Sequence, residues 1–471
     1  MLFYATLLIQ EILSMLKVHP GPTDRRPIVA RKDFLEAEEV EIVDKTTTQA
    51  EPTDRRLPKG AAIEQQDTTL PIKQVDADAQ TRSPNHFPKR FKTTVPSPSR
   101  SLNHFLRRLS VSKTASQKTQ KGITEYERFH SSWRHMCVLG EGGEGVVHLY
   151  ERRKQLGKSV AVKLPRSHHA RENLLQELEN MCILNPHEHI LELLCATKEW
   201  HPCGPALFLP ICDLGDLVTY RESWCAQQAW EGKPERISEI TMWKLFRDMV
   251  LALNYLHHEL GIRYVHNDFK PGNILAVTPP DCIGHETLPE EPIFKLSDFA
   301  RLTPWPTPKG EHPTGFNGTP EYAPPEVERI APVHTSVDTW GLGATLQLMA
   351  FGMHPTQSRE ACVRTRKLQG KPCPELGDNK EWNKEYWRMR VPVVFRPLNV
   401  SVKVLQKKYD LPHWIPDYQP YGSRLNHWYA KLWDPVATRP KASHLMQVAI
   451  PHMDDQVERL KLKRKKQTRQ A

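Results

Sequence analysis

The sequence has no C-x-x-C pair: its nine cysteines, at positions 137, 182, 195, 203, 212, 225, 282, 362 and 373, stand singly. That excludes a zinc ribbon or a thioredoxin-type redox motif. Scattered thiols in a large chain fit a reducing compartment, and Cys137, Cys182 and Cys195, set among apolar residues, read as small core hydrophobes. The sequence also lacks an apolar run of the ~20 residues that span a bilayer. The nearest approach, MLFYATLLIQEILSML at positions 1–16, has no basic leader and is interrupted by Gln10 and Glu11. It reads as an amphipathic or buried helix of unknown role, with a signal anchor as the alternative.

Acidic residues are missing from two stretches. Arg82–Lys121 carries ten Lys/Arg and no Asp or Glu, and Arg459–Arg469 carries seven and none. Against a formal net charge of +10, these 17 positive charges leave about −7 for the rest of the chain, so the basic character belongs to the flanks. Such flanks could dock acidic partners or import carriers, or simply be solvated tails. They have little aromatic interleaving, so there is no strong nucleic-acid signal. Apolar residues are sparse across 17–125, where SPNHFPKR, TVPSPSR and SVSKTASQKTQK are rich in Ser, Thr, Pro and Lys. That composition cannot offset its ordering entropy and predicts a disordered basic region.

The texture changes at Trp133. MCVLG, VVHLY and SVAVKL are short β-rich runs separated by Gly or polar turns and predict three antiparallel strands. Arg171–Leu184 carries Leu174, Leu175, Leu178, Met181 and Cys182 at helical spacing, ALFLPI is a further strand, and helical periodicity dominates after Ile240. Strands followed by helices predict two packed lobes, an α+β arrangement, over an alternating parallel sheet.

Gly140, Gly142 and Gly145 form G-x-G-x-x-G. In a dinucleotide fold the glycines open a helix; here Val146–Tyr150 reads as a strand, so the glycines belong to a hairpin whose backbone N–H groups could approach phosphates. Eighteen residues on stands Val160-Ala161-Val162-Lys163. Further along are His266-Asn267-Asp268-Phe269-Lys270-Pro271-Gly272-Asn273, then Ser297-Asp298-Phe299-Ala300, then Gly318-Thr319-Pro320-Glu321-Tyr322-Ala323-Pro324-Pro325-Glu326 and Asp338-Thr339-Trp340-Gly341. Together these strings resemble the eukaryotic-type serine/threonine protein kinase family.

The resemblance implies a bilobal protein-kinase-like fold over 133–449, with a small antiparallel β-rich N-lobe and a larger helical C-lobe, followed by a basic tail at 450–471. It implies ATP and Mg2+ as cofactors and protein substrates bearing Ser or Thr, in the cytoplasm, the nucleus or both. Asp268 would accept the substrate hydroxyl proton, Lys270 would neutralise the γ-phosphoryl group, and Asn273 and Asp298 would supply hard oxygens to magnesium. Gly140, Gly142, Gly145, Val147, Ala161, Lys163 and Leu275 would surround the nucleotide, with Leu209 at the back of the adenine pocket. A lysine between apolar strand residues could instead snorkel to solvent. Glu177 is the expected partner of Lys163, with Glu179 as rival. Asp216 would accept from the ribose, or else cap a helix. Thr319 would bridge Asp268 and Lys270, Asp338 would hold the catalytic loop, and Glu326 would pair with Arg439.

The sequence departs from the family pattern at three points. Asn267 replaces the usual Arg that meets an activation-loop phosphate, so control through Thr303, Thr307 or Thr314 is not expected, and regulation is expected in the basic N-terminal segment. Ala300 replaces a Gly, which predicts a metal loop less free at positive φ. Pro324 replaces an Ala. The polar segment 278–292 reads as a surface loop, and residues 356–430, rich in Trp, Tyr and Pro, read as extra packing or a partner surface. A catalytically silent kinase fold is the competing function; loss of Lys163, Asp268 or Asp298 would mark it, and none is lost.

Overall fold

The computed structural model describes residues 125–470 apart from 144, 156, 199, 201–203, 310, 312–313 and 374–385. The expectations for residues 1–16 and for 17–124 lie outside the described residues.

Five strands make one antiparallel sheet in the order β1-β2-β3-β5-β4: β1 Trp133–Glu141, β2 Gly145–Arg152, β3 Ser159–Pro165, β4 Cys195–Thr197 and β5 Ala206–Leu209. Alternation sorts their side chains onto two faces. Trp133, Tyr150, Val160, Val162 and Phe208 pack on the outer face. There they are covered by helix α1, Glu125–Ser132, whose Phe129 stacks on Trp133 at 5.6 Å. Ala161, Val147 and Leu209 turn to the inner face and join the main core. Cys195 is buried in the outer-face cluster, whereas Cys182 is half-buried against the main core and Cys137 is half-buried outside both clusters.

Helix α2, His168–Ile183, begins three residues earlier than the apolar spacing predicts, because the Ser167 hydroxyl accepts from the Ala170 N–H at 3.2 Å. It inserts Leu174, Leu178 and Met181 into the core shared with the helical lobe. Helix α3, Leu217–Trp230, is capped by Asp216, and α4, Glu239–Asn254, by Ser238. Two small ladders follow: β6 Arg263–Val265 with β9 Thr303–Trp305, and β7 Ile274–Val277 with β8 Ile293–Leu296.

Beyond the short helix α5, Glu326–Ile330, runs α6, Ser336–Phe351. Every residue of α6 is buried, and the polar ones among them include Asp338 and Gln347. It stops at Gly352, whose φ of 69° closes the helix from the left-handed region. Helices α7 (Arg359–Leu368), α8 (Val402–Lys408) and α9 (Ser423–Lys431) complete the larger lobe. Within the segment rich in Trp and Tyr, Trp387 is buried against Cys362 and Val391, which favours packing for that residue.

The last helix, α10, spans Ile450–Gln470 and buries Met453 and Val457 in the main core. Its basic residues meet acids of the same chain: Lys461 reaches Glu291 at 2.8 Å, and Arg464 pairs with Glu290. Its Asp454 in turn meets Arg247 of α4 at 2.7 Å. The 278–292 segment is thereby held down, since Tyr220 also donates to the Pro289 carbonyl and Thr241 to that of Glu290.

Candidate active site

The catalytic-loop string lies between β6 and β7, directly over the first turns of α6. Gly341 permits that approach: a Cβ there would sit 2.8 Å from the Phe269 carbonyl oxygen. From α6 the Asp338 carboxylate accepts from the backbone N–H of His266 at 2.8 Å and of Asn267 at 3.0 Å. Its Oδ2 also lies 2.8 Å from His257 Nε2. Asn267 is held at φ 64°, a conformation that asparagine tolerates better than most residues.

Asp268 is buried and surrounded by donors. Its Oδ1 accepts from the Thr319 N–H at 2.8 Å and the Thr319 hydroxyl at 2.7 Å; its Oδ2 accepts from Lys270 Nζ at 2.9 Å. Lys270 Nζ also donates to Thr319 Oγ1 at 2.8 Å. Burial by itself would raise the Asp268 carboxyl, but Lys270, Thr319 and Arg301 outweigh it and hold it below the usual carboxylate range. Asn273 donates from Nδ2 to the Asp268 carbonyl at 2.9 Å. With its nitrogen so used, the carboxamide oxygen is the atom left to meet a cation.

Lys163, on β3, donates to Glu177 Oε2 at 2.6 Å and lies 3.4 Å from Asp298 Oδ1. It points inward, so the snorkelling alternative does not describe it; its side chain is 12% exposed. Glu177 rather than Glu179 meets it, because Glu177 lies on the buried face of α2. Burial would raise Asp298 as well, yet Lys163 and Lys270 beside it bring its carboxyl below the ordinary value. Asp298 has φ 63°. Ala300 has no positive φ in this state; the left-handed residue of this segment is Asp298 itself. Phe299 is buried, with its carbonyl held by Asn180 Nδ2 at 2.6 Å and its ring 5.5 Å from that of His266.

Between the lobes, Ala161 pairs with Leu209, and Val147 and Leu275 pack against the same core. Gly145 closes the glycine turn under Leu164, where a Cβ would come within 2.8 Å of the Leu164 carbonyl oxygen. Gly140 and Gly142 sit in β1 and in the turn, with open space beside Gly140. Asp216 Oδ1 accepts from the Thr219 N–H at 2.8 Å, which is the capping alternative; its Oδ2 faces Gly272.

One expected pair is corrected. Arg439 meets Glu328, at 2.8 Å from both guanidinium nitrogens, and not Glu326. Pro325 precedes the first residue of α5, so Glu326 opens that helix facing solvent. Two residues further round, about 200° away, Glu328 faces the buried arginine.

Spacing does not reveal some of the residues around Asp268. Arg301 NH1 lies 3.9 Å from Asp268 Oδ2 and also donates to the Asn317 carbonyl. The Asn317 N–H donates to Asn267 Oδ1 at 3.2 Å, and Asn267 Nδ2 lies 3.4 Å from Thr303 Oγ1. Neither Arg301, Asn317 nor His257 belongs to a motif string.

Residues 133–386, more than half of the chain, match the profile described as the protein kinase domain. The chain is similar to the mitosis inhibitor protein kinase wee1 of Schizosaccharomyces pombe, with 28% identity over 220 residues, 45% of this chain and 22% of that protein. It is similar to the serine/threonine-protein kinase RUNKEL of Arabidopsis thaliana, with 27% identity over 245 residues, 51% of this chain and 16% of that protein. The mouse serine/threonine-protein kinase Sgk3 is 36% identical over 129 residues, 26% of this chain and 22% of that protein. The chain thus spans about a fifth of the length of these curated relatives.

Proposed function

The chain belongs to the protein kinase family, and on that premise we propose that it is an ATP-dependent serine/threonine kinase. The carrying observation is Lys163: its ammonium reaches Glu177 on α2 and Asp298 on the metal loop together, tying the two lobes around one cleft. The donor set suits magnesium nucleotide. Asn273 and Asp298 bring hard oxygens, Lys163 and Lys270 bring positive charge, and the glycine turn keeps open space beside Gly140 and Gly143. Asn273 and Asp298 would hold magnesium, which would neutralise phosphate charge.

The residues of the chain then have separate tasks. Lys163 holds the α- and β-phosphates, while Val147, Ala161 and Leu275 enclose the base. The substrate hydroxyl oxygen forms a bond to the γ-phosphorus as the bond to the ADP oxygen breaks, and its proton passes to Asp268. An aspartate held low by four donors is a weak base, so Asp268 mainly orients the hydroxyl and takes its proton late. Lys270 balances charge on the transferred group, and Thr319 fixes both side chains.

The Asn267–Thr303, Asn267–Asn317 and Arg301–Asn317 bonds support a segment ordered without a phosphate. The free thiols fit a reducing compartment such as cytoplasm or nucleus. Among the described residues no helix is long and apolar enough to cross a membrane.

The test is transfer from γ-labelled Mg-ATP to a generic basic protein, with Asp268→Asn as its pair. We expect phosphoserine or phosphothreonine with the wild type and near-background signal with the variant, whose melting temperature stays close to wild type. Equal trace incorporation by both would establish a catalytically silent kinase fold.

A further inference from the structure

A histidine pair stands on the outer face of the N-lobe sheet, away from the nucleotide cleft. His135 on β1 lies opposite Tyr150 of β2, and His148 is two residues further along β2, on the same face as Tyr150. His135 Nε2 and His148 Nδ1 are 3.1 Å apart. His135 is exposed and His148 half-buried, so the gap between the two nitrogens is reachable from solvent. Glu141, opposite Val146, extends the same face and adds negative charge. His130 of α1 borders Tyr150 from the other side, its ring 5.6 Å from that ring.

We propose that His135 and His148 form a two-histidine site for a borderline transition-metal dication such as Zn2+ or Cu2+. Two imidazole nitrogens 3.1 Å apart, each at about 2.05 Å from an ion, subtend about 98° there, between octahedral and tetrahedral angles. Imidazole selects such ions over Mg2+. On binding, the proton shared between the two rings moves to the other nitrogen of its own ring, so both facing nitrogens present lone pairs. Among the described residues no three His, Cys, Asp or Glu side chains converge on a metal position. Water therefore fills the remaining coordination positions. The ion would staple β1 to β2 on either side of the glycine turn, on the face opposite Lys163.

The experiment is calorimetric titration of Zn2+ into the full chain, stripped of metal and kept in excess Mg2+. It is run for wild type, His135→Gln, His148→Gln and His130→Gln. One site is expected, weakened at least about tenfold in each of the first two variants and unchanged in the third. Bound Cu2+ should give an electron paramagnetic resonance spectrum with coupling to two nitrogens, reduced to one in either variant. Both variants lie on an exposed face, and circular dichroism checks that they fold. Zinc binding equal in all four proteins would place the ion on thiols elsewhere and overturn the proposal, as would the absence of any binding at stoichiometric concentration.

Discussion

Glu328→Ala and Glu326→Ala form a pair of variants that should separate sharply. The Arg439 side chain has no solvent exposure and that of Glu328 only 9%. Arg439 also donates to the carbonyls of Ser336 and Asp434 and lies over the Trp340 ring at 4.9 Å. Removing Glu328 leaves a guanidinium in place with its countercharge gone, a change that costs about 3–5 kcal/mol in buried pairs. The slight exposure of Glu328 and the surviving carbonyl bonds put the expectation at the lower end, about 3 kcal/mol. Glu326 is exposed, and its removal should stay within about 0.5 kcal/mol. For a lobe of this size, 3 kcal/mol corresponds to roughly 6–12 °C in melting temperature. Differential scanning calorimetry at neutral pH reads both variants, with urea unfolding as a second measure. Equal losses from the two variants, or a larger loss from Glu326→Ala, would refute the assignment of the pair to Glu328.

Three further outcomes follow. Gly341→Ala should lower the melting temperature and the transfer rate together. Helix propensity favours alanine by about 1 kcal/mol, but the new Cβ would meet the Phe269 carbonyl at 2.8 Å and its Cβ at 2.9 Å, and overpacking there costs about 1–3 kcal/mol; a stabilised, fully active variant would contradict the contact. Thr307→Ala with Thr314→Ala should keep transfer within about twofold, the scale of surface substitutions, whereas Asn267→Ala should lose more; a dead double variant would mean that loop phosphorylation is needed. Thr303 is left out of that test because its hydroxyl belongs to the Asn267 contact. Because the Asp268 and Asp298 carboxyls are held below their ordinary values, their ionised forms stabilise the folded protein above the ordinary carboxylate range. That contribution fades only as pH falls through the lower folded values. A rate profile should accordingly show no limb from either group between about pH 6 and 8, and an acid limb there that also appears as a loss of thermal stability in the wild type but not in Asp268→Asn would show the carboxyl to be raised.

The sequence carried the two-lobe division because its hydrophobic period changes from two to 3.6 near residue 170, and the sheet and helices follow that change. It carried the positions of Lys163, Asp268, Asn273 and Asp298 because they lie in contiguous strings. It was weaker where spatial neighbours come from different segments. Arg301, Asn317 and His257 are near in space but belong to no motif, and the Arg439 partner depends on where α5 begins after Pro325. One residue of difference in that start rotates the facing carboxylate by about 100°, more than spacing can resolve. The basic tail shows the same limit from the other side. Its charge left open an external acidic partner or a solvated tail, while Glu290 and Glu291, 174 and 170 positions from Arg464 and Lys461, meet it within the chain. The apolar spacing of Met453 and Val457 was the sign that this tail also has a face to bury.

The two left-handed residues of the site explain why the substitutions around it carry different weight. Asn267 and Asp298 have φ of 64° and 63°, and neither is glycine. Such positions cost of order 1–3 kcal/mol and persist only where the surroundings over-determine them. Around Asn267 the surroundings are the Asp338 carboxylate on two successive N–H groups and the side-chain bonds to Thr303 and Asn317. Around Asp298 they are Lys163 on the carboxylate and, one residue on, Asn180 on the Phe299 carbonyl. Asparagine tolerates this backbone better than most residues, arginine included. At this φ an asparagine therefore relaxes the loop backbone relative to the arginine that is usual in the family. Ala300, by contrast, occupies an ordinary conformation, and a glycine there would release no strain in this state. Of these two departures among the three, the change at 267 bears on how the site is held in this state, and the change at 300 does not.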